Sequence, residues 1–95
     1  MLRCSGDEVR ATQWGRRRAF SRALVSRRDV TVDLTDLAFA DASFILDLAM
    51  LARRLRTSCA TLSVRGAQPH VLHLIERVGL HRLHGVDVEP LPALA

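Results

Sequence analysis

Between Val30 and Val64 the hydrophobic period changes twice, and this segment constrains the fold more than any other. Val30-Thr31-Val32-Asp33-Leu34 alternates apolar and polar residues, so Val30, Val32 and Leu34 share one face of a strand. Residues 42–56 then switch to helical spacing, with Ile45, Leu48, Ala49, Ala52 and Leu55 forming a buried face. Asp41 sits where an N-cap belongs, and Arg53, Arg54 and Arg56 crowd the last turn, where cations favour the negative end of the helix dipole. Cys59 to Val64 returns to strand character. A strand, a helix of crossover length and a second strand imply a largely parallel sheet with helices packed on it.

The flanks continue the alternation. Met1 to Cys4 is a short strand candidate, ended by Ser5-Gly6-Asp7. Residues 10–27 read as a helix with Trp14, Phe20, Ala23 and Leu24 inward and Arg18 and Arg22 outward. Thr35 to Ala40 reads as a loop, and Gly66 as a turn. Pro69 opens another helix at a position that tolerates proline. Its core stripe is Val71, Leu74, Ile75 and Val78, and Gly79 ends it. Leu80 to Leu83 leads to an edge strand at Val86-Asp87-Val88, and residues 90–95 read as a flexible tail. The expected fold is α/β: a small sandwich with a mostly parallel sheet of four to five strands, in one domain spanning residues 1–95.

Charge excludes less than it suggests. The 14 basic residues are all arginine, and the net charge is only +4. Arg16-Arg17-Arg18, Arg27-Arg28 and Arg53-Arg54 lie on different elements without interleaved aromatics, so no nucleic-acid surface is expected. Trp14, Phe20, Phe39 and Phe44 read as core anchors. Cys4 and Cys59 lack metal-ligand spacing, and the pairs His70/His73 and His81/His84 read as exposed, so no metal or cofactor is expected. No glycine-rich phosphate loop is present, and no histidine stands near Ser43 in sequence to act as its base, so an enzyme is not expected. No apolar run approaches membrane-spanning length, and the expected setting is cytoplasmic.

Ser43 is the most informative position. With Asp41 as N-cap, Ser43 falls in the first helical turn, where backbone N–H groups lack intrahelical partners and a phosphate would meet the positive helix end. Leu46, Asp47, Met50 and Arg54 follow it around the helix, a mixed face suited to docking.

The stretch Val30-Thr31-Val32-Asp33-Leu34-Thr35-Asp36-Leu37-Ala38-Phe39-Ala40-Asp41-Ala42-Ser43 resembles the signature of the sulfate-transporter and anti-sigma-factor-antagonist (STAS) domain. In that family a strand ending in Asp-Leu is followed by a short loop and Asp-x-Ser. The likeness runs on through Ala60-Thr61-Leu62-Ser63-Val64 and the helix ending in Gly79-Leu80, and is best over residues 30–89. The resemblance implies an anti-sigma-factor antagonist, a protein-binding switch whose partner is an anti-sigma factor that is also a serine kinase. It implies Ser43 as phosphoacceptor, with Asp41, Ala42, Phe44, Leu46, Asp47 and Met50 at the partner surface. Any self-association is expected to be a weak homodimer. Phe44 stands where the family commonly has glycine, and Ala42 where many members have a second hydroxyl. These departures keep a second reading open: a STAS scaffold that is not phosphorylated, or an accessory subunit of a lipid-transport ABC complex.

Overall fold

The computed structural model describes residues 1–26 and 28–92. In chain order the elements are β1 (Leu2–Arg3), β2 (Gly6–Glu8), α1 (Gln13–Val25), β3 (Val30–Asp33), β4 (Leu37–Ala40), α2 (Ala42–Thr57), β5 (Leu62–Ala67), α3 (Pro69–Val78) and β6 (Val86–Pro90). Single 3-10 turns occupy Arg10–Thr12 and Leu80–Arg82. The main sheet has four parallel strands in the order β1-β3-β5-β6. This is the α/β architecture expected from the alternation of periods.

Register explains why the sheet is covered on one face. Val30, Leu62 and Val86 align across three strands, as do Val32, Val64 and Val88, and these rows face the core. The intervening rows, Thr31-Ser63-Asp87 and Asp33-Arg65-Glu89, carry polar groups to the opposite face. The helices therefore bury one side, and the strands alternate instead of reading as continuous apolar runs. The core gathers Leu34, Leu37, Ile45, Leu48, Leu55, Val71, Ile75 and Leu80 around the apolar rows.

Several sequence expectations need correction. Residues 37–40 are a strand, not a loop: β4 pairs in parallel with β2, continuing the β1–β3 pairing past a break bridged by Cys4 N–H to Asp33 carbonyl (3.0 Å) and Gly6 N–H to Asp36 carbonyl (3.2 Å). Leu37 plugs the core while Ala38 and Phe39 stay outside, so the segment lacks a clean period of two. β5 starts at Leu62 because Cys59, at φ 57°, takes the left-handed conformation that ends α2. Gly66 lies inside β5, at a register shift opposite β6, rather than at a turn beyond it. Its φ of 74° suits glycine, and a Cβ there would meet the Thr35 hydroxyl at 2.3 Å. Pro90 belongs to β6 and the Leu91 N–H donates to the Ala67 carbonyl at 2.8 Å, so the supposed tail is ordered through Leu91. The rest of that expectation, at 93–95, falls outside the described residues, as does Arg27 at the end of the expected first helix.

Trp14 and Phe39 are also not core anchors: they are 74% and 52% exposed, whereas Phe20 and Phe44 are buried. Aromatic size suggested burial, but the face each residue occupies decides it. Pro69 at N1 and Gly79 at φ 90° bound α3 as the sequence indicates.

Candidate functional site

The site forms where β2, α1 and the start of α2 meet. Asp41 has extended backbone and caps α2, its Oδ1 accepting the Ser43 N–H at 3.0 Å and the Ser43 hydroxyl proton. Its Oδ2 accepts the Arg10 N–H at 3.1 Å, and its own N–H donates to the Glu8 carbonyl at 3.2 Å. The β2–β4 pairing thus carries the cap to the entry of α1. The Ser43 hydroxyl chiefly holds the Asp41 carboxyl below its ordinary 3.8; burial opposes it, and the backbone N–H groups of Arg10, Ser43 and Phe44 add to the lowering.

Arg16 is the residue that sequence reading missed. It lies on α1 and is only 5% exposed. Its Nη1 meets Glu8 Oε1 at 3.0 Å and the Val9 carbonyl at 3.3 Å. Nη2 meets Asp47 Oδ2 at 2.7 Å, Nε donates to the same oxygen at 2.8 Å, and Nη2 reaches Ser43 Oγ at 3.5 Å. The guanidinium also lies 5.4 Å from the Phe44 ring centroid. Four hydrogen bonds and the close ion pair to Asp47 thus engage all three guanidinium nitrogens, which is what burying such a charge requires. A signal did exist: Arg16 precedes Phe20 and Leu24 at four-residue steps, so it continues their stripe, while Asp47 lies between Phe44 and Leu51 on the buried stripe of α2. Opposite charges on two apolar stripes point to a buried pair.

The residues expected at the partner surface divide into two sets. Ala42, Leu46 and Met50 are exposed, Leu46 and Met50 to 56% and 46%, and Asp41 is half-buried beside the half-buried Ser43. Phe44 and Asp47 lie in the interior, Phe44 in the core and Asp47 against Arg16, with Arg17 Nη2 at 3.3 Å on its outer oxygen. They support the surface from beneath and do not form it. Beside Met50 a groove of about 220 Å³ runs between α1 and α2, with Phe20, Leu24 and Leu51 at its base and Arg17 and Arg54 on its rim. Because Arg16 is buried, the Arg16-Arg17-Arg18 run is not one basic surface.

Other candidates lie elsewhere. His70 Nε2 lies 2.8 Å from the Ala38 carbonyl and ties α3 to β4. Cys4 is buried, and that burial, reinforced by the Glu8 charge, pushes its thiol up to about 12. Among the described residues no group of three or more His, Cys, Asp or Glu is disposed to hold a metal. No described helix is long and apolar enough to cross a membrane.

A parallel sheet with helices on one face, and a capped serine opening the central helix, define a STAS-type domain. The chain belongs to the STAS domain family: the family model described as "Mlab, STAS domain" matches residues 5–88. No curated protein matches the chain. Membership carries the coarse function with it, protein–protein interaction of the anti-sigma-factor-antagonist or a related STAS kind.

Proposed function

We propose that this domain is an anti-sigma-factor antagonist that docks on a kinase-type anti-sigma factor in the cytoplasm and is released by phosphorylation of Ser43. One observation carries this reading: Ser43 Oγ sits at the first turn of α2 between the Asp41 carboxylate and the Arg16 guanidinium, on the helix that exposes Leu46 and Met50. Leu46 and Met50 offer apolar contact to a partner, and a phosphate at Ser43 places a charge of about −1.5 to −2 at the edge of that contact. Charge of that size, left desolvated against a partner, opposes binding without unfolding the domain. The domain itself carries out no chemistry in this scheme; it is the substrate of its partner.

Incubation with ATP and a candidate kinase-type anti-sigma factor, followed by mass spectrometry, should place phosphate on Ser43. Ser43→Asp should abolish binding and Ser43→Ala should retain it. Tight binding indifferent to both substitutions would sink the switch. It would instead favour a STAS scaffold that is not phosphorylated, or an accessory subunit of a lipid-transport ABC complex.

A further inference from the structure

The polar cluster beneath Ser43 is built so that one member can change partners. Arg16 holds α1 to α2 through Asp47 and to β2 through Glu8. Each of those carboxylates has a second donor. Asp47 Oδ1 accepts from Arg17, at 3.3 Å from Nη2, and Glu8 Oε1 accepts the Thr12 hydroxyl at 2.9 Å. If Arg16 turns away, neither carboxylate is left without a partner. The guanidinium already points Nη2 at Ser43 Oγ, and the 3.5 Å separation is the longest hydrogen bond that this side chain makes. A phosphate ester at Oγ carries its oxygens beyond that atom and closes the gap. It also removes the hydroxyl proton that Ser43 donates to Asp41, turning an attraction into repulsion between two anions.

We propose that Arg16 reads the phosphorylation state of Ser43, swinging from Asp47 onto the phosphate and thereby loosening α1 from α2. This rests on Ser43 being the phosphoacceptor. The dianion outcompetes a single carboxylate for a bidentate guanidinium. Loosening the Arg16–Asp47 link alters the groove between the helices, so the modification is felt at Met50 and Arg54 as well as at the phosphate itself. Arg16 acts as a positioning residue and touches no partner.

The test uses the full chain with phosphoserine installed at position 43 during synthesis, so no kinase is needed. The second ionisation of the phosphate is followed by 31P NMR. Asp41, Glu8 and Asp47 raise it, and Arg16 and Arg17 lower it. Arg16→Gln should raise this pKa by about one unit, the effect of losing a cation at ion-pair distance. Arg16→Lys should restore part of the difference, and Asp47→Asn, which frees the guanidinium, should lower the value. The Arg16 Nε–H resonance should move on phosphorylation while that of Arg17 moves less. A phosphate that titrates alike with and without the Arg16 side chain would overturn the proposal. Where Arg16→Gln does not fold, an unchanged titration in Asp47→Asn overturns it equally. Failure of a kinase to modify Ser43 would strike the proposed function and leave this measurement standing.

Discussion

Helix α2 buries seven side chains, six of them apolar, while its neighbour α1 buries only Phe20 and Arg16. Both helices pack against the same core, yet α2 is held by area removed from water and α1 largely by a guanidinium shared among carboxylates. Area is non-directional and forgiving of small shifts. A fixed set of donors and acceptors is neither, and it can be reset by one added charge. The contrast places stability in α2 and responsiveness at the α1–α2 contact.

Removing area should do the greatest damage. Leu48→Ala, at a fully buried position, is expected to cost about 3 kcal/mol in urea unfolding, from lost transfer energy and the cavity left behind. Breaking the polar anchor should cost less. Arg16→Met is expected to lose about 2 kcal/mol, below the full penalty for stranding a buried charge because Asp47 keeps Arg17. Adding Asp47→Asn should return much of that loss, whereas a rescue confined to Leu48→Ala would contradict the division between the helices. Smallest is the cap: Asp41→Ala should cost about 1 kcal/mol. Because the folded carboxyl titrates below its ordinary 3.8, Asp41 stabilises the fold fully above that value, and its contribution disappears as pH falls through the folded value. Acid titrations of the parent and Asp41→Ala proteins should therefore converge at the lowest pH.

The same contrast explains what was legible. α2, α3, β3 and β5 could be read because burial imposes a period, and proline and glycine mark the ends of α3. The Asp41–Ser43 cap was legible too, since cap chemistry is local. β4 escaped because it leaves the sheet's regular alternation as it follows β2, placing Phe39 outside. Arg16 escaped because a run of three arginines resembles a solvated face, and only its place on the Phe20 stripe distinguishes it. Phe44 reads in sequence both as a core anchor and as a partner contact, and only the first holds: one residue past Ser43 it stands about 100° around the helix, in the core. Asp47, one turn past Ser43, does share its side of α2, and it is buried because α1 lays Arg16 against it, a tertiary contact that spacing within α2 does not reveal.

The order of strands in the main sheet has a consequence for how the molecule comes into being. β1, β3, β5 and β6 stand side by side in the order in which they occur along the chain. During synthesis each new strand can add to the edge left by the one before it, with its helix laid over the growing core. No finished pair has to part to admit a latecomer. A parallel sheet, whose pairings span long loops and close slowly, can in this arrangement be assembled as a succession of short searches as the chain leaves the ribosome.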